Sequence, residues 1–164
     1  MLPYTPPKPI MFSQDWAQNR AVIQPTTNAT AIRLSRVLRT MGIQNNQFML
    51  SLFDPTLMHI DPHNPAHVTP EIARRIFIEC LYNPWYYFRE VVRIPTTGGN
   101  AVPFEFHRGN LALIWCFYND MDAFLTLPRQ TGKTIATQAI MSHQMYFAGY
   151  NYDLAMYTKD QILR

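Results

Sequence analysis

The sequence has no apolar run long enough to cross a bilayer. Its longest, Leu111 to Tyr118, falls far short of the roughly 20 residues that a span requires. The opening residues, MLPYTPPKPIMF, lack the apolar stretch of a secretory signal. Cysteine is scarce. Cys80 and Cys116 stand apart in separate helix-like stretches, which predicts buried thiols in a reducing compartment, not a disulfide or a metal pair. Excess charge is also small: a net +3 permits a nucleic-acid partner without arguing for one. There are no internal repeats. These absences predict a soluble, intracellular chain with no membrane partner, built as one domain or one domain with an added segment.

What is present is apolar and aromatic. Hydrophobic residues make up 48% of the chain and aromatic residues 13%, enough for a packed core. Residues 1–27 carry Pro3, Pro6, Pro7, Pro9 and Pro25 and predict an extended arm. From Asn28 to Met41 the apolar residues Ile32, Val37, Leu38 and Met41 recur at helical spacing. Arg33, Arg36 and Arg39 form a stripe beside them, either a solvated face or a nucleic-acid contact. Residues 54–70 are a proline-rich joint containing His59, Asp61, His63 and His67, readable as a polar loop or as metal ligands.

Thr69 and Pro70 predict the start of a helix carrying Ile72, Ile76, Ile78 and Leu81. Asn83-Pro84 ends it and opens another, NPWYYFREVVRI, which is expected to stop at Pro95. A TTGGN turn, an extended piece from Val102 to Phe106 and a helix from Arg108 to Tyr118 follow. AFLTL, residues 123–127, predicts a short buried strand. A loop over 128–132 leads into a helix from Lys133 to about Ala148. YDLAMYT predicts the next strand, and Thr158-Lys159-Asp160-Gln161 a capping box. The expected fold class is therefore α/β, a βαβ unit with its loop at the carboxyl end of a strand.

That loop carries the chemistry. A P-loop reads G-x-x-x-x-G-K-[ST]; LPRQTGKT keeps Gly132, Lys133 and Thr134 but has Leu127 in place of the first glycine. Gly132 lets the backbone approach an oxygen closely. Lys133 is placed to bridge the β- and γ-phosphates of ATP, and the Thr134 hydroxyl to ligate Mg²⁺. Pro128 stiffens the approach. Arg129 offers a planar fork for phosphate oxygens, or else pairs with a neighbouring carboxylate.

LPRQTGKT resembles the deviant Walker A motif of the large terminase subunits of tailed bacteriophages, the motors that package DNA into proheads. The ordered set NPWYYFREVVRIP, a Gly-Gly turn, FEFHRGNLALIW and PRQTGKT is similar to the N-terminal ATPase region of that family, over about residues 67–164. The resemblance implies an ASCE-type P-loop NTPase fold from residue 67, preceded by a helical, proline-rich segment over 1–66. It makes Arg129 and Lys133 catalytic, Arg129 reaching the γ-phosphate in cis. Pro128, Arg129, Gln130, Thr131, Gly132, Lys133 and Thr134 become the ATP-binding loop, with Thr134 on Mg²⁺. The segment at His107, Arg108 and Asn110 falls where the family contacts the base, often through a glutamine that this chain lacks. MYTKDQILR is similar to the strand and helix start that follow the P-loop helix.

The same resemblance implies as partners double-stranded DNA, the portal and prohead, and the small terminase subunit, met in the host cytoplasm during assembly. A Walker B aspartate, its adjacent glutamate and the two-metal nuclease carboxylates have no counterpart in this sequence. The chain is accordingly expected to be an N-terminal piece whose incomplete sheet a downstream polypeptide completes, and to hydrolyse ATP poorly alone. Two alternatives stay open: a fragment of an SF2-like helicase or other P-loop ATPase, and a non-catalytic packaging-interaction module.

Overall fold

The computed structural model describes residues 27–42, 49–50, 52–124, 126, 128 and 132–147. Helix α1, Ala29–Thr40, begins at Asn28, whose side chain caps it by accepting from the Ala31 N–H. Its buried face is Ala31, Leu34 and Leu38; of the apolar set that the periodicity picks out, Leu38 is buried and Ile32, Val37 and Met41 are half-buried. Arg33, Arg36 and Arg39 point to solvent. A short 3-10 helix, Pro55–His59, follows. In this joint His63 bonds the Val91 carbonyl at 2.9 Å and His67 meets the Asn64 amide. Among the described residues no three metal-ligating side chains converge.

Helix α2, Pro70–Tyr82, starts at Thr69 with proline in its first turn, as the sequence predicts. Asn83 then caps α3, which runs as Pro84–Tyr86 and widens into a π turn over Tyr87–Val91. The Val92 N–H reaches back to the Tyr87 carbonyl at 3.0 Å, closing that turn. Every residue from Asn83 to Glu90 is buried, so this segment is the centre of the core. The expected helix up to Pro95 ends early. β-branched Val91, Val92 and Ile94 ahead of a proline favour extended backbone, and residues 93–95 pair as a strand instead.

Strands β1, Arg93–Pro95, and β2, Ala101–Pro103, form an antiparallel hairpin with Ile94 opposite Val102. Gly99, at φ +80°, supplies the left-handed residue of its turn. Helix α4, Arg108–Tyr118, and helix α5, Lys133–Phe147, complete the described fold. Core residues Leu34, Leu57, Trp85, Phe88, Phe104, Ile114 and Ala136 belong to one cluster, so α1 packs with the later helices.

The expected strand over 123–127 is not formed by its described residues. Ala123, Phe124 and Thr126 have no ladder partners, and Phe124 is 96% exposed. A short apolar run becomes a parallel strand only where a neighbouring strand and a covering layer bury it, and among the described residues neither lies beside Phe124. The sheet among the described residues is an antiparallel hairpin; the expected parallel βαβ unit needs residues that lie outside them. The strand expected in YDLAMYT and the capping box at Thr158 lie outside the described residues. No helix among the described residues is long and apolar enough to cross a membrane.

Candidate functional site

Helix α5 begins at a sharp turn of the backbone. Gly132 sits at φ +71°, a conformation that other L-residues reach at a cost. A Cβ there would meet nothing within 4 Å, so conformation rather than space calls for glycine. The Gly132 carbonyl accepts the Ala136 N–H at 2.9 Å, the first intrahelical bond of α5. The N–H groups of Lys133, Thr134 and Ile135 precede that bond and form the positive end of the helix dipole. The Lys133 and Thr134 side chains are exposed.

His107 performs the matching task at the start of α4. Its Nδ1 accepts from the Gly109 and Asn110 N–H groups at 3.1 and 3.4 Å, and the Asn110 side chain accepts from the His107 N–H at 2.8 Å. With Nδ1 used as an acceptor, the neutral ring carries its proton on Nε2. Asn110 also donates to the Glu105 carbonyl at 2.7 Å, fixing the chain as it enters the helix.

The two helix starts face one cleft of about 380 Å³, within the size range of small-molecule sites. Ile94 and Val102 of the hairpin give it apolar walls, together with Phe104, while His107, Gly132 and Ile135 bring in α4 and α5. Glu105 contributes the cleft's carboxyl side chain. At the far ends of the same helices, the Tyr118 hydroxyl lies 2.7 Å from His143 Nδ1. His107 and Tyr118 thus bracket α4 as Gly132 and His143 bracket much of α5. The helices lie side by side in the same direction, with both N-termini at the cleft. Two parallel dipoles ending at one opening favour negative charge there.

The sequence-predicted residues divide accordingly. His107 and Gly132 come together in the cleft. Lys133 and Thr134 sit on the first turn of α5 with solvent access, free of any burial that would keep phosphate away. The Thr134 hydroxyl is an oxygen donor suited to Mg²⁺, an ion that commonly comes to protein carrying water and phosphate oxygens. Pro128 is exposed. Arg129, Gln130 and Thr131 lie outside the described residues.

Two cleft residues, Ile94 and Val102, escape sequence reasoning because a hairpin three residues deep has almost no periodicity to read. His143 escapes it too. Its signal was a polar residue on the stripe of Ala136, Ala139 and Ile140, positions that recur every three or four residues.

His143 is 3% exposed. Its Nε2 donates to the Cys80 carbonyl at 2.9 Å, so Nδ1 accepts from the Tyr118 hydroxyl. Burial, against the hydrogen bond that the ring donates to the Cys80 carbonyl, pushes its pKa down to about 4. Burial also raises the Cys80 thiol, reinforced by neighbouring Glu79. Glu79 itself is buried and accepts from the Phe53 and Asp54 N–H groups and the Asn83 side chain at 3.1, 2.9 and 2.7 Å. Burial outweighs those bonds and raises its pKa. No protein-family model, curated protein or solved structure matches the chain.

Proposed function

We propose that the cleft binds the polyphosphate of ATP with Mg²⁺, and that the chain is the N-terminal ATP-binding portion of a phage terminase large subunit. One observation carries the proposal: His107 and Gly132, from two separate motifs, line a single cleft at which α4 and α5 both begin. The phosphates lie against the first turn of α5, with Lys133 supplying charge and Thr134 an oxygen for the metal. The apolar walls at Ile94, Val102 and Phe104 accommodate the rest of the nucleotide.

Binding rather than turnover is what these residues support. The resemblance supplies the wider role: ATP-driven movement of double-stranded DNA through the portal into the prohead, in the host cytoplasm, with the small terminase subunit and a downstream polypeptide as partners. The exposed Phe124 and the antiparallel hairpin favour a second reading, a non-catalytic module in packaging.

Calorimetric titration of the purified chain with ATP, in Mg²⁺ and again in EDTA, tests the proposal. Saturable binding that weakens on chelation is expected. Absence of binding in both buffers overturns it and leaves the interaction module.

A further inference from the structure

The face by which α5 docks is poor in shape. Ala136, Ala139 and Ile140 are its buried apolar residues, and two of the three are alanines. Apolar burial is non-directional, so such a face resists separation from the core better than it resists sliding along it. Directional bonds have to set the register, and His143 supplies two of them. His143 reaches α2 through the Cys80 carbonyl at 2.9 Å and α4 through the Tyr118 hydroxyl at 2.7 Å.

The His143 ring is also packed among tilted aromatic neighbours, with centroids 5.0 Å from Tyr87 and 4.9 Å from Phe147. Its two nitrogens are thereby committed to two different helices. Because α4 and α5 are parallel, a bond at their far ends fixes the relative height of their near ends.

We propose that His143 is the register pin of α5, a positioning residue that holds Gly132 and the first turn of α5 level with His107 in the cleft. The proposal rests on the phosphate-site reading for its consequence, but not for its geometry. A slip of α5 by part of a turn moves the Lys133 ammonium and the helix-start N–H groups by several ångströms, since each residue adds about 1.5 Å.

The test compares wild type with His143→Gln, His143→Leu and Tyr118→Phe in the full chain. Gln can donate to the Cys80 carbonyl and accept from Tyr118, as the imidazole does. Leu can do neither, and Tyr118→Phe removes one bond while keeping the ring. Two readouts are taken under native conditions: hydrogen exchange across residues 132–140, and affinity for Mg²⁺-ATP.

Exchange in the first two turns of α5 is expected to accelerate about tenfold in His143→Leu and severalfold in Tyr118→Phe, and to return near the wild-type rate in His143→Gln. Nucleotide affinity is expected to fall and recover in the same order. If His143→Leu does not fold, Tyr118→Phe against His143→Gln still decides. A variant that lowers the melting temperature but leaves both readouts unchanged shows a merely stabilising bond and overturns the proposal. If no variant binds ATP, wild type included, the phosphate reading fails while the exchange pattern still judges the pin.

Discussion

His107 and Gly132 line the same cleft, the first capping α4 and the second opening α5. Each is fixed by its own helix, and the helices are fixed to one another at their far ends by Tyr118 and His143. The site is therefore a property of helix packing, and substitutions at both ends should be felt in it.

Gly132→Ala isolates the backbone requirement. Its Cβ finds open space, so the cost is that of a positive φ in a residue with a side chain, about 1–2 kcal/mol. Urea denaturation is expected to show a lower midpoint with unchanged slope. An unaltered midpoint would mean that the turn relaxes into a right-handed conformation.

The buried histidine gives the molecule a pH dependence with a definite sign. The folded pKa of His143 is pushed down to about 4, below the ordinary 6.5 of the unfolded chain. Between those values the unfolded chain binds the proton and the folded one does not, so stability falls as pH falls. The full window is worth on the order of 3 kcal/mol. Glu79 works the other way, because burial raises its pKa and acid then favours the folded state. The difference between wild type and His143→Gln cancels Glu79. Wild type is expected to lose more stability than the variant from pH 6.5 to pH 4.5, measured by denaturant midpoints at each pH.

Glu79→Ala removes one carboxylate and strands three donors, the Phe53 and Asp54 N–H groups and the Asn83 amide. Buried donors left unpaired cost about 1–3 kcal/mol each where water cannot reach them. A loss of about 3 kcal/mol in unfolding free energy is expected, since solvent can reach the partly exposed loop at Phe53. A loss below 1 kcal/mol would contradict the role assigned to Glu79.

Much of this architecture was legible in the sequence, for local reasons. Thr69-Pro70, Asn83-Pro84 and the Gly98-Gly99 turn are short-range signals, and each marks a boundary in the structure. Gly132 ahead of Lys133 likewise placed the start of α5. The apolar run at 123–127 reads as a strand, but a strand is made by its neighbours, and its described residue Phe124 is exposed. The α3 helix was overextended because a π turn and a β-branched exit have no distinct periodicity. The cleft itself depends on which helices lie parallel, and one-dimensional spacing cannot carry that information.

The most direct test of the phosphate site is the affinity of Lys133→Ala for Mg²⁺-ATP beside that of wild type, in the same buffer. Lys133 is exposed on the first turn of α5, and the melting temperature of each protein is recorded beside its affinity. A charge-assisted bond to phosphate is worth about 1.5–3 kcal/mol, so affinity is expected to fall roughly 10- to 100-fold. Equal affinity in the two proteins would contradict the account.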